Sequence, residues 1–455
     1  LEVIIMKQFN KLLLASFFLI PFQLLADELA KDILPMRERA KVRDALLKDR
    51  FETVLPEIMR RNNMDMWLII AREYNEDPVI RTMLPATWLN ARRRTVLVVF
   101  DPGNKKPLET YAVARYDVGE VFKKAWDPEA QPDQYKALAD LIKLKNPKKI
   151  GINKSEFFAQ ADGLTSTEYD LLNKALPRKY QKRIVSANNV AIGWLETRSV
   201  KEMEIYPEIC RIAHDIIKEG FSANVITPGV TTTEDIVWWY RDRIRELNFV
   251  TWFHPSVDIQ RGDQPSFNFL ESFSKAKPEN TVLPGDLLHV DFGITYLSLN
   301  TDTQQHAYVL MPGENSVPSE LTKALATGNR LQDILTDQFQ TGRTGNEMLL
   351  SALEQADNEG IKPQIYTHPI GYYGHGSGPT IGMWDKQEGV PVNGDYPLYP
   401  NTAYSIELNA KVFIEAWGKE VAIMLEEDAF FDGETCDYID PRQTEMIIID
   451  WETDK

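Results

Sequence analysis

The pattern of apolar and polar positions divides this chain into two parts with different periodicities. In the first part, between residues 50 and 180, short apolar runs alternate with helical segments, one of which is predicted at 133–144. The apolar runs that predict strands lie at residues 66–70, 95–100, 111–115 and 149–152. Strands that alternate with helices are typical of an α/β layer, so we predict the α/β class for this part.

The second part begins where small and polar residues accumulate over 186–197, and we place a domain boundary there. An amphipathic stripe predicts a long helix over 200–223. Thr231 with Glu234 fits a capping box that opens the next helix. Two later helices are predicted at 319–335 and 345–356. Residues 366–451 are rich in strand and loop signals, so this part is predicted to be α+β.

The first 26 residues resemble a targeting segment. Lys7 and Lys11 precede an apolar run at 12–25, which is short for a transmembrane helix and is interrupted by Pro21. Cleavage near Ala26 would make residues 1–26 a signal peptide, and the alternative is that the segment is retained as a membrane anchor. We predict export to the periplasm or outside the cell, with no stable membrane insertion after cleavage. The remaining chain then forms two domains, 27–190 and 197–455.

Composition argues against several classes of partner. The 455-residue chain carries a net charge of −16 and has no long run of Lys or Arg. A nucleic-acid or anionic-membrane surface is therefore not expected as its main function. Cys210 and Cys436 are the only cysteines, and neither stands in a metal-binding spacing. We interpret both as buried or free, although export would permit a disulfide between them.

The stretch at residues 287–302 carries the first candidate chemistry. Asp291 closes an apolar run, Gly293 follows, and Asp302 stands further along the chain. The run predicts a buried strand, and a carboxylate there is costly to bury unless it is paired or binds a cation. Asp291 and Asp302 on neighbouring strands could face each other and hold a metal ion. The alternative is that Asp291 is a turn residue and Asp302 an exposed one.

Three further residues join the two aspartates. His375 stands in the glycine-rich loop at 374–378, Glu407 ends the apolar run at 403–406, and Glu426 follows the run at 421–425. Two aspartates, two glutamates and one histidine form an oxygen-rich donor set with a single imidazole. Such a set suits a pair of divalent ions, such as Mn, Co, Fe or Zn, better than it suits a closed thiolate zinc site.

In this order and spacing, the five residues resemble those of the pita-bread metallopeptidases, which include methionine aminopeptidase, Xaa-Pro aminopeptidase and prolidase. The resemblance covers residues 197–444, and residues 27–187 are similar to the creatinase-type domain that precedes this fold in the proline-specific members. The matching motifs are Asp291-Phe292-Gly293 with Asp302, Gly374-His375-Gly376, Ser405-Ile406-Glu407 and Leu425-Glu426-Glu427-Asp428.

The resemblance implies a creatinase-like α/β domain followed by a pita-bread domain that holds two divalent metal ions. Manganese is our first expectation, and cobalt, zinc and iron are the alternatives. Asp291 and Glu426 would bridge both ions, Asp302 would bind one, and His375 and Glu407 would bind the other. Glu407 would also move a proton from the activated water to the leaving amine. The implied function is hydrolysis of short peptides at the N-terminus, of the Xaa-Pro aminopeptidase or prolidase type, by a homo-oligomer.

The chain departs from the family pattern around this metal set. Trp384 precedes Asp385 where the family carries a histidine, and Thr303-Gln304-Gln305 follows Asp302 where the family usually has Thr-Arg. Candidates to take the place of histidines that the family carries here are His368, His254 and His289. We name His368 and His254 as candidate catalytic residues. Each of the three could equally be a structural histidine.

Two other functions stay open at this stage. One is a metal-binding pita-bread protein without peptidase activity, which would bind peptides or another partner. The other is a hydrolase that acts on a small amide or a phosphoester. Metal-dependent turnover of Xaa-Pro peptides would distinguish both from the peptidase.

Overall fold

A computed structural model of the protein describes residues 28–31, 33–265 and 280–452. The predicted signal peptide at 1–26 lies outside these residues. Residues 1–34 form a small unit in which helix α1 (Glu28–Lys31) is described, and residues 35–455 form a second compact unit. Within the described residues, no helix combines the length and the apolar character needed to span a bilayer.

The first part of the large unit is a six-stranded sheet covered by helices on both faces. The strand order is β4-β3-β2-β1-β5-β6, with β1 antiparallel to β2 and parallel to β5. The strands are β1 (Met66–Arg72), β2 (Arg94–Phe100), β3 (Glu109–Ala112), β4 (Lys123–Lys124), β5 (Ile150–Ile152) and β6 (Ile184–Ser186). The helices are α2 (Met36–Thr53), α3 (Leu55–Arg61), α4 (Pro78–Arg81), α5 (Gln134–Lys145), α6 (Ser166–Ala175), α7 (Arg178–Gln181) and α8 (Asn188–Glu196), with a 3-10 turn at Ala159–Ala161.

Strand β1 lies at the centre of this sheet because both of its faces are apolar. Successive side chains of a strand point to opposite faces. Trp67 and Ile69 therefore pack with the core that contains residues of α2, α3 and α8, while Leu68 and Ile70 pack with the core that contains residues of α5 and α6. A continuous apolar run is the expected sequence of a strand buried on both sides.

Two long helices open the second part, α9 (Val200–Gly220) and α10 (Thr233–Glu246). The prediction that Thr231 and Glu234 form the capping box of α10 is wrong by one residue. Thr232 and Asp235 form it, each accepting a hydrogen bond from the other's backbone N–H. The Thr231 hydroxyl instead accepts the Thr227 N–H at 2.9 Å, because Thr231 closes the turn before the helix.

The described residues of the second part form four sheets and two further helices. The largest have the orders β19-β11-β8-β7 and β13-β14-β17-β18, beside a three-stranded β12-β15-β16 and the hairpin β10-β9. The strands are β7 (Ser256–Gln260), β8 (Leu287–Phe292), β9 (Thr295–Tyr296), β10 (Leu299–Asn300), β11 (Thr303–Val309), β12 (Lys362–Ile365), β13 (His368–Ile370), β14 (Thr402–Ser405), β15 (Leu408–Ile414), β16 (Lys419–Leu425), β17 (Asp428–Phe431), β18 (Cys436–Tyr438) and β19 (Ile447–Ile449). The helices are α11 (Ser319–Thr336) and α12 (Gly345–Asn358), and a 3-10 turn lies at Glu415–Trp417.

Helix α11 packs closely on β16 because it carries glycine at the contact. A Cβ atom at Gly328 would lie 2.8 Å from side-chain carbons of both Ile423 and Leu425. Residues of α11, α12, β15 and β16 share one apolar core. This packing holds the end of β16, and therefore Glu426, in place. The predicted mixed α/β fold class is confirmed.

Candidate metal centre

The two aspartates meet because β8 and β11 are antiparallel neighbours. Asp291 near the end of β8 lies directly opposite Gln304 on β11, and Asp302 immediately precedes β11. Glu426 joins them from the end of β16, since its carbonyl accepts the Gln304 N–H at 2.9 Å. Strand pairing thus brings residues more than one hundred positions apart to one point.

Ligand atoms of these residues form overlapping groups within 4.8 Å of one another. Asp291, Asp302 and Glu426 form one triad, and His368, Glu407 and Glu426 form a second. A third group joins Asp302 to His368 and His375. Glu426 belongs to both of the first two triads, so these two groups of donors share one carboxylate.

His368 faces the carboxylates from β13. Its Nε2 lies 3.4 Å from Glu426 Oε1, 3.6 Å from Asp302 Oδ2 and 3.9 Å from Glu407 Oε2. Its Nδ1 lies 3.1 Å from the Pro369 carbonyl. In the neutral ring, an N–H at Nδ1 that donates to this carbonyl leaves the Nε2 lone pair directed at the carboxylates. His368, which we predicted as a catalytic residue, therefore also has the geometry of a metal ligand.

His375, which we predicted as the metal histidine, lies further toward solvent. It is exposed, whereas His368 is buried, and the two rings meet edge to face with centroids 4.6 Å apart. Its loop approaches Trp252 so closely that a Cβ atom at Gly374 would lie 2.1 Å from that ring. Both histidines belong to the candidate donor groups, and their geometry alone does not assign a metal ion to one rather than to the other. The role of His375 as a metal ligand therefore stays a prediction.

The carboxylates of the centre repel one another strongly. Burial raises the pKa of Asp302 well above its ordinary value, and the charges of Glu426 and Asp291 raise it further. Burial and the same two neighbours also raise the pKa of Glu407. Burial acts in the same direction on Glu426, but the nearby His368 imidazole, Ser405 and Gln304 outweigh it and lower the pKa of this residue. A bound cation would relieve this repulsion.

Hydrogen bonds from behind hold the donor set in position. Ser405 Oγ donates to Glu426 Oε1 at 2.7 Å, and Gln304 Nε2 donates to Glu407 Oε1 at 2.6 Å and to Glu426 Oε2 at 2.7 Å. Asp428 Oδ2 accepts the backbone N–H of Asp302 at 3.3 Å. The sequence analysis named Gln304 only as a departure from the family pattern and gave it no role, although it stands two residues after Asp302.

A cavity of about 650 Å³ opens onto the centre. Its walls away from the carboxylates are largely apolar, and one wall comes from the loop at 157–160 of the first part of the unit. The apolar residues that line it include Phe157, Phe158, Trp252, Phe253, Met383 and Trp384. Gln160 ties that loop to the centre, since its Nε2 donates to the His375 carbonyl at 2.8 Å. No signal in the sequence connected residues 157–160 with the second domain.

The other candidate histidines take different places. His254 is exposed, lies 3.0 Å from Arg241 Nη1 through its Nδ1, and packs against Trp238. It is not among the described residues that line the cavity. His289 is buried behind the centre, where its Nε2 lies 2.9 Å from Gln304 Oε1. Cys210 and Cys436 are both free thiols.

Comparison with known proteins identifies the family of the second part. Residues 204–430 match the sequence model of metallopeptidase family M24. No curated protein sequence matches the chain.

Solved structures share the fold over nearly the whole chain. X-Pro aminopeptidase from Thermotoga maritima has a TM-score of 0.60 at 16% identity, with 86% of this chain and 100% of that chain covered. Xaa-Pro dipeptidase from Bacillus anthracis has a TM-score of 0.56 at 17% identity, with 91% and 100% covered. The N-terminal domain of FACT complex subunit SPT16 from Cicer arietinum has a TM-score of 0.51 at 12% identity, with 91% and 99% covered.

These similarities extend beyond the matched domain to the part of the chain that precedes it. The predicted resemblance to the pita-bread metallopeptidases, with a creatinase-like domain in front, is confirmed. At these low identities, similarity to the solved structures establishes the fold alone. Evidence about the chemistry comes from the family match and from the donor set. The domain at residues 204–430 therefore belongs to metallopeptidase family M24.

Proposed function

We propose that this protein hydrolyses short peptides at their N-terminus, with a water activated by two divalent metal ions. The observation that carries the proposal is the pair of donor triads, Asp291-Asp302-Glu426 and His368-Glu407-Glu426, which share one glutamate. Two cation positions bridged by a carboxylate are the recurring arrangement of dinuclear hydrolases, including aminopeptidases.

The residues of the centre fit such ions. Asp302 Oδ1 and His368 Nε2 are buried and make no hydrogen bond within the described part of the chain. A buried carboxylate oxygen and a buried imidazole nitrogen in this state are costly unless a cation binds them. Oxygen-rich sites with one imidazole suit Mn²⁺, which we propose as the native ion, ahead of Co²⁺, Zn²⁺ and Fe²⁺.

The bound ions would supply Lewis acidity, which lowers the pKa of a bound water and polarises the scissile carbonyl. Glu407 is placed to accept the proton of that water, because its side chain is 16% exposed while that of Glu426 is only 1% exposed. Glu407 would then pass the proton to the leaving amine. The remaining carboxylates would attract the protonated amino terminus of the peptide. His254 has no place in this scheme, since it lies against Arg241 and Trp238.

The substrate class that we propose is Xaa-Pro peptides, split either as dipeptides or by release of the first residue. The cavity of about 650 Å³ is within the usual range for small-ligand sites, and its aromatic walls suit an apolar residue and a proline ring. Similar structures carry X-Pro aminopeptidase and Xaa-Pro dipeptidase activity in their names, which supports this choice.

The test is turnover of Xaa-Pro dipeptides and tripeptides by purified protein loaded with Mn²⁺, alongside elemental analysis. We expect turnover that chelation abolishes and that Glu407→Gln reduces by at least about 100-fold, as expected for loss of a general base. Cleavage of other peptides but not of Xaa-Pro would contradict the specificity. Metal binding without any peptidase activity would favour the alternative of a peptide- or partner-binding protein. That alternative draws support from the shared fold of the FACT complex subunit.

Export and self-association are separate proposals that rest on the sequence. The basic and apolar pattern before Ala26 supports a cleaved signal peptide, and the family resemblance supports a homo-oligomer. N-terminal sequencing of protein recovered from cell fractions would test the first. Light scattering at several concentrations would test the second.

A further inference from the structure

Gln304 occupies an unusual position in the donor set. It is 5% exposed, and its amide nitrogen donates to two carboxylates at once, Glu407 Oε1 at 2.6 Å and Glu426 Oε2 at 2.7 Å. An amide NH₂ group has two hydrogens, so one can serve each carboxylate. A single neutral side chain thus links the glutamate that both triads share to the glutamate assigned as proton acceptor.

The orientation of this amide is determined by its partners. Carboxylates only accept hydrogen bonds, so the amide nitrogen must face the glutamates and the amide oxygen must face His289. His289 Nε2 lies 2.9 Å from that oxygen, and its Nδ1 lies 3.8 Å from Asp258 Oδ2 on the neighbouring strand. His289 is 4% exposed. A buried imidazole that donates to the amide oxygen therefore prevents the amide from flipping.

These contacts leave the other carboxylate oxygens available to the centre. Gln304 holds Glu407 Oε1, while Glu407 Oε2 lies 3.9 Å from His368 Nε2. It holds Glu426 Oε2, while Glu426 Oε1 lies 3.4 Å from the same nitrogen. Fixing one oxygen of each carboxylate fixes the rotation of the group, and so the direction of the second oxygen.

We propose that Gln304 is a positioning residue of the metal centre, which orients Glu407 and Glu426 for cation binding and is itself oriented by His289. This inference rests on the proposed metal centre. Partners in the layer behind metal ligands typically account for about 10–100-fold in metal affinity. We therefore expect Gln304→Met, which keeps the length but removes both donors, to weaken Mn²⁺ binding by about 10–100-fold.

The neighbouring glutamine offers a matched control. Gln305 is 4% exposed, and its Nε2 donates at 3.0 Å to Glu427 Oε1, a carboxylate outside the proposed ligand set. Gln305→Met removes a buried amide–carboxylate hydrogen bond from the same strand, so a general loss of stability would affect both variants. We expect Gln305→Met to bind Mn²⁺ as the wild type does.

The experiment is calorimetric titration of Mn²⁺ into metal-free wild type, both methionine variants, Gln304→Asn and Glu407→Gln, with thermal unfolding measured on each. Gln304→Asn keeps an amide, but its side chain is one methylene shorter and does not reach both glutamates. We therefore expect its Mn²⁺ affinity to lie between that of the wild type and that of Gln304→Met. Electron paramagnetic resonance should show a coupled Mn²⁺ pair in the wild type and an altered signal in Gln304→Met.

Three results would overturn the inference in distinguishable ways. If Gln304→Met and Gln304→Asn bind Mn²⁺ with wild-type affinity, Gln304 is not a positioning residue and the metal centre stands. If Gln305→Met weakens binding as much as Gln304→Met does, the effect is general destabilisation. If the wild type binds no Mn²⁺, both the proposed metal centre and the role of Gln304 are wrong.

Discussion

His368 and Ser405 lie directly opposite each other on antiparallel strands β13 and β14. Ser405 Oγ donates to Glu426 Oε1 at 2.7 Å, and His368 Nε2 lies 3.4 Å from the same oxygen. One pair of facing residues therefore approaches the shared glutamate from two sides. This relationship places the His368 imidazole beside the carboxylate that both triads share.

The first prediction compares the two histidines of the centre. Substituting a residue that supports the metal ligands from behind typically lowers metal affinity by about 10–100-fold. We expect His368→Ala to weaken Mn²⁺ binding by more than this. His375→Ala should have a smaller effect, because His375 is exposed and His368 is buried. Calorimetric titration of both variants provides the measurement. A larger loss from His375→Ala would restore the ligand set that we predicted from the sequence.

The second prediction concerns metal and stability. The four clustered carboxylates repel one another in the metal-free protein, and burial and neighbouring carboxylates raise the pKa of Asp302 and Glu407. A ligand at about 100 times its Kd stabilises a protein by about 2.7 kcal/mol. We expect Mn²⁺ to raise the thermal midpoint of the chelated protein in a concentration-dependent way. Na⁺ at the same ionic strength is the control, and an equal effect of both ions would exclude specific binding.

The third prediction concerns pH and the buried His214. Its Nδ1 lies 2.6 Å from Asp440 Oδ2 and its Nε2 lies 2.7 Å from Glu427 Oε2. Burial lowers the pKa of His214, but the two carboxylates outweigh burial and raise it to about 10. A raised pKa stabilises the fold fully below the unfolded value of about 6.5, and this contribution is lost as the pH rises through the folded value.

We therefore compare the free energy of unfolding of the metal-free wild type with that of His214→Gln, which lacks this imidazole. Between pH 6 and pH 10 we expect the wild type to lose roughly 2–4 kcal/mol more than the variant does. His214→Gln should be less stable than the wild type at pH 6, and the difference should shrink toward pH 10. Denaturant unfolding at both pH values measures it. Parallel pH profiles of the two proteins would contradict the assignment.

The fourth prediction concerns the buried ion pair of Arg50 and Glu202. Both side chains are almost fully buried, and Arg50 Nη1 lies 2.6 Å from Glu202 Oε2. Arg50 also donates to the Thr197 carbonyl, and its guanidinium lies over the Trp194 ring. Removing one partner of a buried ion pair typically costs about 3–5 kcal/mol. Arg198 Nη1, which lies 3.3 Å from Glu202 Oε1, would remain as the second cation beside this carboxylate.

We expect Arg50→Met to destabilise the protein by about 3 kcal/mol or more in denaturant unfolding. Lys41→Met is the matched control, because Lys41 pairs with Glu38 at 2.8 Å with both side chains exposed. An exposed pair contributes at most about 1 kcal/mol. Equal effects of the two substitutions would show that burial does not govern this pair.

The fifth prediction tests the wall that residues 157–160 supply to the cavity. Phe157 and Trp384 line the cavity from different parts of the chain. We expect Phe157→Ala to raise KM for Xaa-Pro peptides with little change in kcat, since it removes binding made equally in the ground and transition states. Leu89→Ala is the control, because Leu89 is 86% exposed and is not among the described residues that line the cavity. An unchanged KM for Phe157→Ala would exclude this wall from substrate binding.

Much of the fold could be predicted because its signals are local. The predicted strand at 66–70 is contained in β1 (Met66–Arg72), and the predicted helix at 133–144 corresponds to α5 (Gln134–Lys145) with Asp133 as its N-cap. The capping box of α10 was predicted one residue early. Thr231 and Thr232 both precede an acidic residue by three positions, and only the turn that ends at Thr231 distinguishes them.

The acidic donors were also predictable from the sequence. Asp291, Glu407 and Glu426 each stand at or next to the end of an apolar run, and Asp302 follows Asp291 by eleven positions. The structure brings all four into the candidate groups. An ionisable residue at the end of a buried strand must be paired or bound, which is a strong constraint. The histidines carry a weaker constraint, because a neutral imidazole can be buried in several ways.

The sequence by itself therefore determined the alternation of strands and helices and the four carboxylates. Only the tertiary structure decided that His368 lies 3.4 Å from the shared glutamate and that His254 lies against Arg241. It also decided that Gln304 links two glutamates and that residues 157–160 line the cavity. The periodicity of a helix or strand predicts which face of that element a side chain occupies, because the side-chain direction follows from its position along the element. Which other element covers that face depends on pairing across one hundred or more residues, as between Gln304 and Glu407, and no local pattern encodes it.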